Sequence, residues 1–461
     1  MLAPPCARTT PCARVPDSVT DSVTDSVTAT HPHRPAGRGH HPFSPRVSHL
    51  AVLMAALANS TVWAETHPYY LGASQTLSHE SNIYRIGDQQ VLPGGYSKAD
   101  TVATTALFAG LDQSFGRQRV SGNVTLRANH YQHNRQLNNQ GYGLSAAWDW
   151  ATVERLSGSL SASANRNLTQ FNEGNNSTLV RTERNLESLE QMDAKLHLGV
   201  VTRFTGEASL GLVRRHFSAA SYARSTYNQQ SGSLGFSYRP GGALTLGAAL
   251  RLTGVDYPNF QLLTDGSYQP DRLHRQDIDF TAYWQPSGAS AISARLSPTR
   301  NRYDNNTRAD FSGLTGSLIW AWQPGGRTKL TTTLSHDTGQ SYDAVSLGIS
   351  GPGTVDYSRT TTALKLKGEY DLTGKIALTA SITQANRALS NTYAVTTGAT
   401  LQTLDGSDRS TSLALGSRWQ PTRSLQLGCD LGLEHRSSSN LQLSVPMGSN
   451  SFSCFGQFTL Q

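Results

Sequence analysis

The feature that most limits the fold of this chain is an alternation of apolar and polar residues that continues over long runs. Such runs occupy residues 244–253, 277–284, 364–370 and 425–434. A period of two gives a β-strand one apolar and one polar face. These four runs are seven to ten residues long and the strands that they predict reach about 10 to 14, whereas strands of soluble proteins average about 5 or 6. Strands of this length suit a tilted crossing of a membrane.

The composition agrees with strands that face lipid on one side and water on the other. Only 37% of the residues are hydrophobic, which excludes a bundle of transmembrane helices. Charged residues make up 15%, below the roughly 25% of an ordinary soluble domain. Low charge with low hydrophobicity also occurs in disordered chains, but the alternation favours a barrel. The net charge of +7 is not gathered into a basic stripe, so we expect no nucleic-acid partner.

Short turn segments recur along the chain, several of them with an aromatic residue, any residue and then proline. They lie at residues 114–117, 152–155, 203–206, 238–242, 284–288, 322–326, 370–374 and 419–423. Longer polar connections lie between them, at residues 171–182, 257–271, 343–357 and 394–408. Short turns on one side and long loops on the other are typical of outer-membrane barrels, whose short turns are periplasmic.

Eight short turns predict an all-β, antiparallel up-and-down transmembrane barrel of about 18 strands. Sixteen strands stay open, because the segments near Thr152 and Arg203 are weak. A β-propeller has a similar repeat length, but each blade needs four short strands where this chain has two long ones. An even number of strands puts both termini on the periplasmic side.

The N-terminal residues have a different character from the rest. Residues 1–45 contain a triple repeat of Asp-Ser-Val-Thr and predict no structure, so we interpret them as an extension upstream of the true start codon. Residues 46–64 have a basic start, a short apolar centre and a small final residue, which is typical of a secretory signal peptide. We expect cleavage after Ala64 and a barrel domain over residues 65–461.

Cys429 and Cys454 lie on the last two predicted strands and share the outward face. In an antiparallel hairpin, paired positions have a constant sum, and the register that pairs Cys429 with Cys454 also pairs Leu431 with Phe452. Because the export compartment is oxidising, a cross-strand disulfide is one hypothesis. The alternative is two small residues that fill the lipid face.

The sequence contains no metal-ligand spacing, phosphate loop or nucleophile elbow, so we expect no enzyme, metal or cofactor. Ser335, His336 and Asp337 are adjacent, but strand geometry would turn them to alternate faces. The remaining candidates are polar residues on the inward parity of the strands. They are Arg251, Asp277, Asp279, Tyr283, Arg295, Lys329, Lys365, Lys367, Glu369, Arg387, Arg418, Glu434 and Arg436. Each is either lumen-lining or part of a structural charge pair.

Three parts of the sequence carry a resemblance to a known family. They are the early segment at residues 72–85, which includes Glu80, Asn82 and Arg85, the repeated aromatic-x-Pro turns, and the ending at residues 452–461. Together they resemble the EpsL-type outer-membrane barrels of exopolysaccharide biosynthesis loci, which are exosortase-associated. The resemblance covers about residues 70–461. It implies a role in polysaccharide production and export and carries over no catalytic residue.

We therefore expect a Gram-negative outer-membrane protein that takes part in exopolysaccharide secretion, as a polymer exit pore or as an accessory. Its expected partners are outer-membrane lipid, the polysaccharide, and periplasmic or inner-membrane export machinery. One alternative is a general or substrate-specific diffusion porin. Another is a structural or adhesive surface barrel.

Overall fold

The computed structural model describes residues 68–171, 180–199, 203–263, 265–305, 310–339, 355–394 and 401–460. The first nine strands are β1 (Tyr69–Glu80), β2 (Asp100–Phe115), β3 (Gln118–Tyr131), β4 (Asn139–Ala151), β5 (Leu156–Leu168), β6 (Leu186–Leu198), β7 (Phe204–Phe217), β8 (Tyr227–Gly241) and β9 (Leu244–Leu262). The next nine are β10 (Tyr268–Ser287), β11 (Ser290–Tyr303), β12 (Phe311–Gly325), β13 (Thr328–Gly339), β14 (Val355–Asp371), β15 (Ile376–Ala394), β16 (Leu401–Trp419), β17 (Leu425–Ser438) and β18 (Met447–Leu460). Short 3-10 helices cover Arg135–Leu137 and Ala220–Ser225.

The eighteen strands form one closed antiparallel sheet in which each strand pairs with its neighbours in sequence. The barrel closes where β1 pairs with β18, from Leu71 opposite Leu460 to Glu80 opposite Ser451. Closure leaves no strand edge unpaired. This matters because a bilayer cannot form hydrogen bonds to the free backbone groups of an open edge. The predicted fold class and the count of 18 strands are confirmed. No helix among the described residues is long and apolar enough to cross a membrane.

The outer face of the barrel carries a continuous belt of exposed apolar side chains. On β7 and β8, for example, Leu210 is 68% exposed and Leu234 is 71% exposed. Aromatic residues such as Phe204, Trp284 and Trp419 lie outward near the short turns. An apolar belt bordered by an aromatic girdle is the surface that a bilayer requires. The barrel therefore lies in the outer membrane, with its short turns on the periplasmic side.

Three of the aromatic-x-Pro segments form bulged strand ends, and the turns follow them, whereas the segment at residues 419–421 begins where β16 ends. The register shifts between Tyr238 and Gly241, between Trp284 and Ser287, and between Trp322 and Gly325. Proline has no amide hydrogen, so it fits where a bulge interrupts the ladder. The two-residue turns come next, as at residues 242–243.

Several predicted connections differ from the observed ones. The turn placed at residues 203–206 was wrong by a few residues, because β6 ends at Leu198 and β7 begins at Phe204. Residues 257–271 and 394–408 were predicted as loops, yet β9, β10 and β16 extend into them. Beyond the membrane both faces of a strand meet water, so the alternation disappears although the ladder continues. The predicted extension, signal peptide and cleavage site lie outside the described residues.

Cys429 lies opposite Cys454 in the β17–β18 ladder, and a disulfide joins them. The pair shares the outer face with Leu431 and Leu433, which are 37% and 48% exposed. Their Cα atoms are 4.1 Å apart, a distance typical of the close, non-hydrogen-bonded type of antiparallel pair.

We predict that iodoacetamide alkylates no cysteine of the unfolded mature protein unless a reductant is added first. After reduction, it should alkylate two cysteines. The chain offers a clean peptide readout, because Cys429 and Cys454 lie on different tryptic fragments. Mass spectrometry of the non-reduced digest should show these two fragments linked. Two free thiols in protein isolated from outer membranes under thiol-trapping conditions would contradict the bond.

Candidate pore and extracellular mouth

The structure places all thirteen predicted lumen residues on the face opposite the apolar belt. On β10, for example, Asp277 and Asp279 alternate with Ile278 and Phe280, which are 49% and 51% exposed to the outside. A closed barrel of about 18 strands is wide enough for an aqueous channel. These side chains therefore point toward the barrel interior, and the structure organises them into distinct groups.

The first group is a buried network on β9 to β12. Arg251 Nε donates to Asp279 at 3.0 Å, and Arg275 Nε donates to Asp277 at 2.9 Å. Thr299 donates to Asp277 at 2.6 Å, and Arg295 donates to the buried Ser297 at 2.8 Å. The Asp277 side chain is fully buried, whereas the arginines keep part of their surface exposed. The arginines therefore cover the carboxylates, and the network is largely self-neutralised.

The second group forms a basic wall on β13 to β17 in the periplasmic half of the lumen. Its cations are Lys329, Lys365, Lys367 and Arg418. Lys367 Nζ lies 2.9 Å from Glu369, and Arg418 lies 3.8 Å from Asp430. Lys329 stands opposite Glu369 in the ladder, and it is exposed. Four basic residues thus face two acidic ones on this wall, and Tyr283 lies further round on β10.

The opposite wall, on β2 to β7, is mildly acidic and was missed by the sequence prediction. Its acids are Asp112, Asp149, Asp193 and Glu207, each adjacent in sequence to an outward-facing position. A hollow in this wall is lined by Asp112, Asp193 and serine and asparagine side chains. The nearby inward cations are Arg119, Arg127 and Lys195. The alternation of apolar and polar residues could have predicted that these acids face inward, but it is less regular on these strands than on the later ones.

Residues 81–99, between β1 and β2, fold inward at the extracellular end, and we call them the mouth segment. Arg85 reaches β17, where its guanidinium forms two hydrogen bonds to Glu434, at 3.0 and 2.7 Å. Asn82 Nδ2 donates to the carbonyl of Gly448 on β18 at 3.0 Å. Glu434 lies on the inner face, because its neighbour Leu433 faces lipid. The mouth segment is therefore anchored to the inner wall.

Asn82 also closes the turn that presents Arg85. Its Nδ2 donates to the Ile86 carbonyl at 2.8 Å, and its Oδ1 accepts from the Ile86 amide at 3.1 Å. Arg85 has a φ of 52°, in the left-handed region that non-glycine residues rarely adopt. A strained backbone conformation of this kind is kept when the surrounding contacts hold it in place. Here the turn closed by Asn82 and the hydrogen bonds from Arg85 to Glu434 hold it.

Tyr84 points in the other direction and is fully buried. It packs against Phe171, with ring centroids 4.8 Å apart, and against Leu137 and Tyr96. Its hydroxyl donates to Asn134 Oδ1 at 3.0 Å, and burial raises its pKa, which keeps the hydroxyl protonated. The mouth segment thus makes contacts from β17 round to the end of β5.

A second group of buried residues closes the neighbouring part of the mouth. Arg387 and Asp408 form a buried ion pair beside Arg436, which is 2% exposed. Leu389 and Leu443 pack beside them, so the β17–β18 connection also folds over the inner wall. Three of the predicted lumen candidates, Arg387, Glu434 and Arg436, are therefore parts of the mouth structure. They are not exposed pore-lining charges.

The adjacent residues Ser335, His336 and Asp337 do not form a catalytic group. His336 Nδ1 lies 2.7 Å from the Thr362 hydroxyl on the outer face, whereas Asp337 accepts from Arg275 inside the lumen at 3.1 Å. Among the described residues, no group of three or more His, Cys, Asp or Glu side chains is placed to hold a metal ion.

No protein family matches the sequence, and no curated protein does. Among solved structures, the chain is similar to OccK1 (OpdK) of Pseudomonas aeruginosa, at 11% identity and a TM-score of 0.43, over 85% of this chain and 99% of that one. It is also similar to the siderophore receptor PirA of Acinetobacter baumannii, at 5% identity and a TM-score of 0.42, over 87% and 81% of the two chains. The closed ladder, the apolar belt and the aromatic girdle, independently of these likenesses, identify the chain as an outer-membrane β-barrel.

Proposed function

We propose that this protein is a diffusion channel that admits small polar solutes through the outer membrane. The observation that carries the proposal is a polar lumen with opposed basic and acidic walls, narrowed at its extracellular end by the mouth segment. Opposed charges orient dipolar solutes, and the anchored mouth excludes bulky ones. The excess of lysine and arginine on the basic wall favours anions over cations.

The test is conductance of the purified, refolded chain in planar bilayers, followed by swelling of proteoliposomes in neutral sugars of increasing size. We expect discrete channels with a modest anion preference, measured as a reversal potential in a salt gradient. The double variant Lys329→Gln, Lys367→Gln should shift that potential toward cations, while Arg409→Gln, on the outer face, should not. Protein that forms the barrel but conducts no ions would overturn the proposal.

Participation in exopolysaccharide secretion is a second candidate, and one observation favours it. Asn82 and Arg85 belong to the segment that resembles the EpsL-type family, and they also anchor the mouth segment, which supports a role for that segment at the exit. A polymer passing outward would have to displace this segment.

Deleting the gene tests the second candidate separately from channel activity. If the barrel serves secretion, the deletion strain should lose polymer from the medium, and the purified polymer should block the conductance. Normal secretion in the deletion strain, together with unblocked channels, would leave the diffusion channel as the function. Neighbouring genes for glycosyltransferases would favour the secretion role.

A further inference from the structure

The outer surface carries a basic patch immediately above the apolar belt on β10 and β11. It consists of Arg272, His274, Arg300 and Arg302, which alternate with inward residues on the two paired strands. Arg302 stands opposite His274, and Arg300 stands opposite Gln276. We call these four residues the rim patch.

The height of the rim patch follows from the register. Leu250 pairs with Ile278 and Pro298 pairs with Leu314, and these residues form the upper part of the apolar belt. Arg300 is the next outward position beyond Pro298. With a rise of about 3.4 Å per residue, it lies roughly 7 Å further along the strand, and Arg302 about 14 Å. Both guanidinium groups therefore reach the level of the lipid headgroups.

The arginines cannot turn into the barrel. Their inward neighbours Thr299, Asn301 and Tyr303 are 3–5% exposed and fill the inner wall. Arg300 and Arg302 are both exposed on the outside. The wall thus fixes the direction of both side chains toward the membrane interface.

The acids nearby are already engaged with other members of the patch. Asp256 accepts a hydrogen bond from Arg272 Nε, and Asp304 lies 3.3 Å from His274 Nε2. Within the part of the chain that the structure describes, Arg300 and Arg302 form no ion pair. Two guanidinium groups on adjacent outward positions, at the edge of the apolar belt, are therefore available to bind an anion from outside the chain.

We propose that the rim patch binds the phosphates of lipid headgroups in the outer leaflet. The planar guanidinium donates two parallel hydrogen bonds to a phosphate, which makes arginine the matching side chain. The acyl chains of the same lipid would lie on the apolar belt directly below. This continuity selects a lipid as the occupant, because the lipids that cover the belt bring their headgroup phosphates to the level of the patch.

The experiment is native mass spectrometry of the full mature chain in detergent micelles, titrated with lipid A that carries two phosphates. Dephosphorylated lipid A is the second probe. The double variant Arg300→Gln, Arg302→Gln should bind the phosphorylated lipid about 25-fold more weakly, roughly fivefold for each charge removed. Arg409→Gln is the matched control, because Arg409 faces outward on β16 two outward positions beyond Leu413 and donates to Asn386 at 2.9 Å.

The expected result is a loss confined to the double variant and to the phosphorylated lipid. Equal binding of both lipids by the parent protein, or equal loss in Arg409→Gln, would overturn the proposal, since either would reflect non-specific adsorption. If the double variant folds poorly, the single variants Arg300→Gln and Arg302→Gln replace it in the binding measurement. Folding of each variant is checked by comparing the gel mobility of unheated and heated samples. Undiminished binding in both singles would also overturn it.

Discussion

Replacing residues 84–97 by a four-residue turn is expected to raise the single-channel conductance at least about twofold, because it removes the part of the mouth segment that narrows an otherwise wide lumen. The replacement is geometrically simple, since the Ile83 amide donates to the Lys98 carbonyl at 2.9 Å and the two ends already meet. Larger sugars should then enter proteoliposomes that exclude them with the parent protein.

A point variant tests the same idea without removing a core residue. Arg85→Ala breaks the paired hydrogen bonds to Glu434 and frees one end of the mouth segment, so we expect noisier channels with frequent larger openings. Lys98→Ala is the matched control, because the ion pair that the Lys98 side chain forms with Asp88, at 3.0 Å, is exposed, and the substitution keeps the Lys98 carbonyl. Exposed pairs of this kind contribute little. Conductance that is unchanged in both the replacement and Arg85→Ala would show that the mouth segment does not limit the pore.

The strands and the direction of their side chains follow from the sequence for a simple physical reason. A membrane barrel has lipid on one side of every strand, so each outward position within the belt must be apolar. Because of this demand, Leu250 and Ile278 point outward and their neighbours Arg251 and Asp277 point inward. The same demand places Cys429 and Cys454 on the outward face of the last two strands, in a register that pairs them. The alternation predicted the fold class and the inward residues, and the recurrent short turns predicted the number of strands.

The mouth was not predictable in the same way. Arg85 and Glu434 are 349 residues apart in sequence, and the segment that brings them together has no regular period. Asn82 was recognised only as part of a family-like motif, whereas its structural role is to close a turn. Glu434 and Arg387 were assigned to the lumen from their positions in the alternation, and this assignment gives the correct direction for both side chains, toward the inside of the barrel. Parity cannot tell whether a folded-in connection covers the side chain.

The second large effect is expected at the buried network of β10. Asp277→Ala should lower the free energy of unfolding by about 3 kcal/mol or more, because breaking a buried ion pair leaves the other charge uncompensated. Asp277 is fully buried and accepts from Arg275 and Thr299, and Arg251 lies 3.5 Å away. Removing it takes one counter-ion from each of two neighbouring guanidinium groups, so that Arg275 keeps only Asp337 and Arg251 keeps only Asp279 among the described acids.

Urea unfolding in lipid vesicles, followed by tryptophan fluorescence, measures the effect. Asp112→Ala is the matched control, because Asp112 also pairs with an inward arginine, Arg119, but its side chain is 50% exposed. That variant should lose less than about 1 kcal/mol. Asp277→Asn should fall between the two, since the amide can still accept from Thr299 but carries no charge. If Asp277→Ala were as mild as Asp112→Ala, water in the lumen would be solvating the network, and the arginines would be available to bind passing anions.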